Sequence, residues 1–497
     1  RLRARKARDA KAFAVMTSHP DALVELSAHE RALLESPARP IVLAGRRPLA
    51  PVAAAVAPGS PWLGVLLPYT PLHHLLLHDV GRPLVMTSGN RSDEPIAVDD
   101  EDAHARLAGV ADAFLGHNRP IHRRCEDSVV RARHPVRRSR GLAPAAIALP
   151  VPAGRSLVAT GAQLKSTFCV AQGRRAWMSP HLGDLDTPAA RTAFRADLEL
   201  YLAMLQLRPE VVAHDLHPGY AATAWALEQD AELVGVQHHH AHAAACLAEH
   251  GETDPALAVI LDGTGYGPDG TLWGGEVLRC DLTSFERVAH LEPVPLPGGE
   301  RAIREPWRAA AAHLERAGRP VPFARWALVR ESLKLGAPLS SGAGRLLDAV
   351  AALLGVCTSV SYEGQAAVEL ELLAGATPAE PYACRRIGDA LVGADLVRAA
   401  HDDLAAGRPR EQIAAAVHEG LAEAFAGACA IASVSGPRTV VLSGGCLQNA
   451  RIAGTLERRL TDEGLRVLTH RRVPPNDGGI SYGQAAVAAA RMTSSCA

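Results

Sequence analysis

The chain contains 497 residues, of which 48% are hydrophobic and 21% are charged. This length allows about three domains of ordinary size or two large ones, and the apolar fraction excludes a chain that is disordered throughout. The 52 basic and 53 acidic residues nearly cancel. This balance argues against a dedicated nucleic-acid-binding protein, which usually carries a basic excess. No apolar run approaches the roughly 18 residues of a membrane-spanning helix, so we expect no membrane partner.

Nine cysteines are scattered singly along the chain and form no CxxC pair. A zinc site built from cysteines is therefore not expected, and the odd, unpatterned count indicates reduced thiols and a cytoplasmic location. The chain begins with Arg1 inside a basic segment rather than with Met, so we expect it to be a fragment of a longer protein.

Residues 1–150 are predicted to form the first domain, an α/β unit. Apolar runs bounded by Pro, Gly and Ser predict strands, and two polar-apolar segments predict helices: strands at 40–44 and 83–87, helices at 21–34 and 101–107. The segment 149–154 is rich in proline. We interpret it as a linker, which places the domain boundary near residue 152.

In residues 151–497, the second predicted domain, an apolar strand followed by a glycine-rich turn occurs three times, at Leu157–Gly161, Ala258–Gly265 and Thr439–Gly445. This recurrence indicates two related lobes that each offer a backbone loop to a phosphate. A tight hairpin turn is predicted at 268–271. Helices rich in Ala and Leu are predicted at 345–354, 411–432 and 483–491.

His238 and His242 are four residues apart at the predicted start of a helix. This spacing puts two imidazoles on one helix face, where both can reach one metal ion. We expect two carboxylates to complete the site, Asp262 at the end of an apolar strand and Asp477 in a turn before a helix. Such a set suits Fe, Zn or Mn. The alternative is a solvent-exposed helix end with two turn aspartates; Cys246 is interpreted as a buried core thiol.

The segment after the third apolar strand is a candidate phosphate loop, because adjacent glycines let backbone N–H groups approach a phosphate closely. Its candidate residues are Ser443, Gly444, Gly445 and Asn449. Gly344 and Asp348 open a predicted amphipathic helix, and the aspartate is suited to accept hydrogen bonds from ribose hydroxyls. The alternative for Asp348 is a favourable charge in the first turn of that helix.

Eight arginines lie between residues 119 and 140. Guanidinium groups suit phosphate oxygens, and Lys6, Arg8 and Lys11 add basic side chains at the start of the chain. Ser88 and Asn90 follow a predicted strand and supply hydroxyl and amide groups. A solvated basic face is the alternative, and nucleic-acid binding is a weaker one because no aromatic residues are interleaved with the arginines.

These motifs resemble the HypF family of carbamoyltransferases, which act in the maturation of nickel–iron hydrogenases. The resemblance covers nearly the whole chain. The first domain resembles the later part of a YrdC-like domain in segments 2–8, 87–95, 124–129 and 138–141. The second resembles a Kae1-like domain of the actin/Hsp70/sugar-kinase ATPase class, in segments 214–218, 237–242, 261–267, 273–276, 362–365, 443–446 and 476–479.

The resemblance implies an α/β fold and a two-step reaction. Carbamate, derived from carbamoyl phosphate, is joined to ATP to give carbamoyl-adenylate and pyrophosphate. The carbamoyl group then passes to the C-terminal Cys thiol of HypE, as the precursor of a cyanide ligand. The acylphosphatase domain and zinc fingers of the family are absent here, as is the start of the YrdC-like domain, and this truncation is expected to open its nucleotide pocket.

The resemblance also assigns residues. In the first domain it implies that ATP, with Mg²⁺, is bound by Lys6, Arg8, Ser88, Asn90, Ser128 and Arg140. It implies catalysis at a divalent metal, Fe or Zn, held by His238, His242, Asp262 and Asp477. It implies that the adenylate in the second domain is held by Gly344, Asp348, Ser443, Gly444, Gly445 and Asn449. The alternatives are O-carbamoyl transfer to a small molecule, tRNA threonylcarbamoylation and an ATP-dependent scaffold with a structural metal.

Overall fold

The computed structural model describes residues 1–8, 10–91, 94–132 and 134–494. The motifs and counts above include four residues that lie outside these ranges: Ser92, Asp93, Arg133 and Cys496. The chain divides into two compact units. Unit 1 comprises Arg1–His214, Gly219–Val234 and Arg471–Ala485, and unit 2 comprises Asp215–Pro218, Gly235–His470 and the residues from Ala486 onward.

Unit 1 begins with a seven-stranded sheet in the order β5-β1-β4-β3-β6-β7, with β2 paired to β3. The strands are β1 (Ala14–Met16), β2 (Val24–Glu25), β3 (Ile41–Arg46), β4 (Trp62–Leu66), β5 (Leu84–Met86), β6 (Val129–Arg131) and β7 (His134–Arg137). The helices are α1 (Leu2–Arg5), α2 (Ala28–Glu35), α3 (Pro71–Val80) and α4 (Asp100–Leu107). Alternate residues of β3 and β4 enter a core that includes Val42, Leu63 and Val65.

The following segments form a four-stranded sheet in the order β11-β10-β8-β9. Its strands are β8 (Ile147–Ala159), β9 (Cys169–Met178), β10 (Val211–Asp215) and β11 (Glu232–Val236), and its helices are α5 (Pro188–Leu205) and α6 (Ala221–Leu227). The core includes Phe168, whose ring meets those of Phe194 and Tyr201 edge-on at 5.9 and 5.0 Å. Such aromatic pairs add to the stabilisation that burial gives.

Unit 2 is built on a nine-stranded sheet in the order β17-β18-β14-β13-β12-β19-β20, with β16 joining β13 to β15. The strands are β12 (Ala256–Tyr266), β13 (Leu272–Cys280), β14 (Phe285–Leu291), β15 (Val294–Pro295), β16 (Leu339–Ser340), β17 (Arg386–Ile387), β18 (Ala390–Leu391), β19 (Thr439–Ser443) and β20 (Arg466–Thr469). The helices that complete the chain are α7 (His238–Glu249), α8 (Glu300–Arg304), α9 (Trp307–Arg316), α10 (Trp326–Ser332), α11 (Ala343–Leu353), α12 (Gln365–Ala374), α13 (Ala394–Ala405), α14 (Arg410–Ser433), α15 (Ala450–Asp462) and α16 (Ile480–Ser494).

The register of two neighbouring parallel strands positions the candidate site. β12 and β19 run in parallel with Ile260 opposite Ser443. Because the carboxyl ends of parallel strands meet at one edge of a sheet, Asp262 and the glycines that follow Ser443 emerge side by side. The pairing of β12 with β13 also shifts in register between Leu261 and Gly265, at the same edge of the sheet.

Most predicted elements are confirmed, and one helix is wrong in its first half. The segment predicted as a helix at 21–34 becomes helical only at Ala28. Ser27 and Glu30 form a capping box that fixes this start, because each side chain satisfies a backbone N–H of the other. The residues before it form the 3-10 turn Pro20–Ala22 and β2.

The predicted linker at 149–154 is also wrong, since this segment lies inside β8. The pairing of β8 with β9 shifts between Ala148 and Ala153, and the two prolines at 150 and 152 fall within that irregular stretch. Proline has no N–H to give to a ladder and is tolerated where pairing is interrupted. Proline content therefore marked a strand irregularity and not a flexible connection. Among the described residues, no helix is both long enough and apolar enough to cross a membrane.

Candidate metal and nucleotide site

The start of α7 places two histidines on one buried face. Gln237 caps the helix, and its Oε1 accepts a hydrogen bond from the backbone N of His240 at 2.8 Å. The rings of His238 and His242 lie 5.1 Å apart, and both side chains are 1% exposed or less. The predicted helix start is confirmed, and the alternative of a solvent-exposed helix end is wrong.

The carboxylate of Asp262 faces both imidazoles. Its Oδ2 lies 3.5 Å from Nε2 of His238 and 3.6 Å from Nε2 of His242. Burial raises the pKa of Asp262, but its close interactions with His238 and His242 outweigh burial and hold this pKa well below its usual range. Burial lowers the pKa of His242. An ionised carboxylate beside a neutral imidazole is the protonation state that metal binding requires.

The donor set of these three residues fits a divalent metal. Their ligand atoms lie within 4.8 Å of one another, which is close enough for one ion to reach all three after small side-chain adjustments. Imidazole and carboxylate donors suit Fe, Zn or Mn. The remaining predicted ligand, Asp477, begins the 3-10 turn Asp477–Gly479 that leads into α16, as predicted, and belongs to unit 1.

Asp215 is a residue of the site to which the sequence analysis gave no role. Its Oδ2 lies 2.8 Å from Nδ1 of His238, and both side chains are fully buried. A carboxylate only accepts hydrogen bonds, so Nδ1 carries the hydrogen and Nε2 keeps the lone pair that faces Asp262. Asp215 could have been predicted from the sequence, because it ends the apolar strand Val211–Asp215. The same pattern, an aspartate at the end of an apolar strand, led to the prediction of Asp262.

The candidate phosphate loop meets the carboxylate of Asp262. Gly444 has a φ of +103°, and a Cβ there would lie 2.3 Å from the carbonyl oxygen of Leu261, so only glycine fits. The backbone N–H of Gly445 donates to Oδ1 of Asp262 at 3.1 Å. The structure therefore brings Ser443–Gly445 and a candidate metal ligand together within one unit.

Gly344 and Asp348 lie on α11, near this loop. A Cβ on Gly344 would lie 2.9 Å from the Cα of Gly263 and 3.4 Å from Sγ of Cys446, so the helix packs closely against both loops. Asp348 is not in the first turn of α11, and the alternative of a first-turn charge is wrong. Its Oδ2 lies 2.9 Å from Nη2 of Arg345, a buried arginine that the sequence analysis missed.

Asn449 caps the N-terminus of α15. Its Oδ1 accepts hydrogen bonds from the backbone N atoms of Arg451 and Ile452, each at 3.1 Å. Its Nδ2 is buried and has no hydrogen-bond partner in the part of the chain that the structure describes. Asn449 therefore stabilises the N-terminus of α15, and its side-chain NH₂ group remains available to donate to a ligand.

In unit 1, the structure brings together Lys6, Ser88 and Asn90. The Nζ atom of Lys6 lies 3.0 Å from Oγ1 of Thr87, 2.7 Å from the carbonyl oxygen of Ser88 and 3.3 Å from Oδ1 of Asn90. Burial, with a smaller contribution from Arg8, lowers the pKa of Lys6 to about 8. These three candidate residues form one polar cluster.

The other candidates of unit 1 are bound to protein groups. Arg8 donates to the carbonyl oxygen of Lys11 at 3.0 Å. The hydroxyl of Ser128 donates to the carbonyl oxygen of Arg140 at 2.9 Å and accepts from the backbone N of Ser139 at 2.8 Å. Nε of Arg140 donates to Asp127 at 2.7 Å.

The arginine-rich segment is not simply a solvated basic face. Arg138 is only 3% exposed and donates to the carbonyl oxygens of Leu142 and Ala145, each at 2.7 Å. Part of the cationic charge in this segment therefore holds the local backbone together.

Comparisons with known proteins agree with this architecture. Residues 1–140 match the Sua5/YciO/YrdC family, described as "Telomere recombination". Residues 152–249 match the "HypF Kae1-like domain", and residues 258–484 match the "Carbamoyltransferase, Kae1-like Domain, second subdomain". Together with the mixed α/β structure, these matches define a YrdC-like domain followed by a Kae1-like domain, and this part of the predicted fold class is confirmed.

Individual relatives identify the family. The chain is 46% identical to "Carbamoyltransferase HypF" of Rhodobacter capsulatus, over 99% of this chain and 69% of the relative. It is 42% identical to "Carbamoyltransferase HypF2" of Cupriavidus necator, with the same coverage of 99% and 69%. The chain therefore belongs to the HypF family of carbamoyltransferases.

Two solved structures share the fold over 99% of this chain. One is full-length HypF "in the phosphate- and nucleotide-bound form", with a TM-score of 0.95, 39% identity and 81% of that chain covered. The other is HypF of T. kodakarensis, with a TM-score of 0.93, 32% identity and 69% of that chain covered.

Proposed function

We propose that the chain joins carbamate, derived from carbamoyl phosphate, to ATP and then transfers the carbamoyl group to the C-terminal Cys thiol of HypE. The first step gives carbamoyl-adenylate and pyrophosphate, and the second releases AMP. The observation that carries the proposal is the hydrogen bond from Gly445 to Asp262, because it joins a phosphate-binding loop to a metal-binding carboxylate. The phosphate and nucleotide bound to a relative support the same assignment.

The two steps are assigned to the two predicted domains. Residues 1–150 carry out adenylation, with ATP and Mg²⁺ bound by Lys6, Arg8, Ser88, Asn90, Ser128 and Arg140. The cluster around Lys6 supports this assignment, because an ammonium beside hydroxyl and amide groups is suited to phosphate oxygens. Residues 151–497 carry out the transfer, with the adenylate held by Gly344, Asp348, Ser443, Gly444, Gly445 and Asn449.

The proposed metal ligands are His238, His242, Asp262 and Asp477, and the proposed metal is Fe or Zn. A divalent ion there, when bound, offsets the negative charge that develops on the departing phosphate. Around it, Asp215 fixes the orientation of the His238 ring. The backbone N–H groups of the glycine loop are suited to orient the phosphate oxygens of AMP.

The transfer step needs one bond to form and one to break. A thiolate sulfur attacks the carbamoyl carbon, the carbon–oxygen bond to the phosphate breaks, and AMP leaves with the electron pair. All eight cysteines among the described residues are free thiols, which supports a reducing, cytoplasmic setting for a thiol acceptor. Burial raises the pKa of Cys446 well above its usual range, which disfavours this thiol as the nucleophile.

The test supplies the purified chain with ATP, ammonium carbamate and a peptide that ends in Cys, as HypE does. The expected products are pyrophosphate, AMP and a peptide heavier by one carbamoyl group, as detected by mass spectrometry. The matched control peptide ends in Ser and should gain no mass. Transfer to tRNA or to a small-molecule hydroxyl, with no transfer to the Cys peptide, would overturn the proposal.

A further inference from the structure

Glu249, His470 and Ser443 form a continuous chain of contacts in unit 2. Nδ1 of His470 lies 2.8 Å from Oε1 of Glu249, and Nε2 of the same ring lies 2.8 Å from Oγ of Ser443. Ser443 is fully buried, and the side chains of His470 and Glu249 are each 1% exposed. With so little exposure, the hydrogen-bonding groups depend on one another and on neighbouring protein groups.

The three residues lie at the ends of the elements that build the candidate site. Glu249 is the last residue of α7, which begins with the candidate metal ligand His238. His470 directly follows β20, and Ser443 is the last residue of β19 and the first of the phosphate loop. The chain therefore connects the far end of the histidine-bearing helix to the start of the loop.

The contact between Nδ1 of His470 and Oε1 of Glu249 is an ion-pair contact at 2.8 Å whose angles do not meet hydrogen-bond geometry. Two atoms without a hydrogen between them would repel at this distance, and a carboxylate only accepts, so Nδ1 of His470 is the atom that carries a hydrogen. In the neutral ring, Nε2 then accepts from the hydroxyl of Ser443. This order is the same as in a carboxylate–imidazole–hydroxyl triad, but a fully buried serine at a strand end is suited to hold its backbone in place and not to attack a substrate.

We propose that His470, oriented by Glu249, is a positioning residue that holds Ser443 and thereby the loop Ser443–Gly445. The inference rests on the proposed role of this loop in binding the adenylate. Its consequence reaches the metal ligand, because the N–H of Gly445 donates to Asp262. Loosening Ser443 displaces the N–H groups of the loop from the phosphate and from this carboxylate together.

A metal site at the same place is the competing interpretation. Ligand atoms of Cys246, Glu249 and His470 lie within 4.8 Å of one another. Both ring nitrogens of His470, however, already contact protein oxygens at 2.8 Å. A metal would have to displace one of these contacts, so the geometry favours the chain of contacts among Glu249, His470 and Ser443.

The kinetic test compares E249A, E249Q and C246A in the full chain. E249A should slow single-turnover carbamoyl transfer by about 10- to 100-fold, the usual cost of losing an orienting partner, while KM for the acceptor peptide stays unchanged. E249Q should restore most of the rate, because its amide oxygen still accepts from Nδ1. C246A should transfer at the wild-type rate and hold the same amount of metal.

Two results with these variants overturn the inference. One is equal transfer rates for wild type, E249A and E249Q. The other is the loss of one bound metal equivalent in C246A, measured by elemental analysis, because it would establish the metal site. A destabilised fold would impair E249Q and E249A alike and lower pyrophosphate release in both, so rescue by E249Q separates positioning from stability.

A spectroscopic test separates this inference from the proposed function. NMR of protein labelled with ¹⁵N-histidine should show an Nδ1-protonated ring that disappears in H470Q and changes in E249A. The absence of this signal overturns the inference even where wild-type protein transfers the carbamoyl group. If the signal is present and wild-type protein transfers nothing to the peptide, the proposed function fails and the chain of contacts from Glu249 to Ser443 stands.

Discussion

Nδ1 of His238 lies 2.8 Å from Oδ2 of Asp215, and neither side chain is exposed to solvent. The contact fixes which ring nitrogen is protonated and turns Nε2 toward Asp262, 3.5 Å away. A carboxylate behind a metal-binding imidazole raises its basicity and holds its orientation. In the proposed metal site, Asp215 would therefore act on the ion through His238.

Replacing this carboxylate with an amide tests that relationship. D215N keeps the size of the side chain but removes the charge, and its amide can present a donor to Nδ1. We expect metal affinity to fall by about 10- to 100-fold, as measured by competition with a chelator. D254N, at an exposed aspartate of the same unit, is the matched control and should bind metal like wild type. Equal affinities for the two variants would contradict an orienting role for Asp215.

The glycine loop gives a prediction about stability. In G444A, the new Cβ would lie 2.3 Å from the carbonyl oxygen of Leu261 at a φ of +103°. We expect a loss of about 1–3 kcal/mol in the free energy of unfolding, together with weaker nucleotide binding. G454A is the control, because a methyl group at this position of α15 has no neighbouring atom within 4 Å. This variant should raise the free energy of unfolding by about 0.5–1 kcal/mol. Urea denaturation measures both, and equal destabilisation would count against the strain argument.

Lys6 predicts a dependence of nucleotide binding on pH. Its pKa is lowered from 10.5 to about 8 by burial, so the folded chain loses this charge near pH 8. ATP binding in unit 1 should weaken as the pH rises from 7 to 9, because the neutral amine attracts phosphate less strongly. Titration calorimetry measures the dissociation constant. K6M should bind weakly at pH 7 and lose this pH dependence, and an unchanged dependence in K6M would assign it to another group.

The lowered pKa of Lys6 also predicts how the free energy of unfolding changes with pH. The folded pKa of Lys6 lies below its unfolded value, so the buried charge lowers stability at pH values below about 8. That penalty disappears as the pH rises from 8 toward 10.5. Relative to K6M, the wild-type chain should therefore gain stability across this window, which denaturant unfolding at several pH values checks. A relative loss of stability would contradict the burial of a charged lysine.

Cys446 gives a prediction about thiol reactivity. Burial raises the pKa of this thiol well above its usual range, and the thiolate is the reactive form. Burial also raises the pKa of the exposed Cys125, but less strongly, so iodoacetamide at pH 8 should label Cys446 more slowly than Cys125, as peptide mass spectrometry would show. A carbamoyl group found on Cys446 during turnover would mean that the chain passes through a covalent intermediate at this residue.

Local sequence patterns predicted the structure correctly where all the relevant residues lie within one short segment. The spacing of His238 and His242 indicated a shared helix face, and the structure confirms it. The apolar runs before Asp262 and Ser443 indicated strands, and β12 and β19 are those strands. Each of these inferences needs only periodicity or a turn signal within a few residues.

Contacts between residues that are distant in the sequence could not be predicted from local patterns. Asp215 and His238 are separated by 23 positions and by a complete helix and strand, and His470 follows Ser443 by 27 positions. The parallel register of β19 and β20, which pairs Leu442 with Thr469, makes Ser443 and His470 neighbours. Proline content misled the prediction at 149–154, because a strand irregularity and a linker carry the same residues.

A comparison of the two half-reactions in H238A separates adenylation from transfer. We expect this variant to lose bound metal and carbamoyl transfer to the Cys-terminated peptide, while it still releases pyrophosphate from ATP and carbamate at the wild-type rate. Equal loss of both half-reactions, or full transfer without the metal, would contradict the assignment of adenylation and transfer to separate sites.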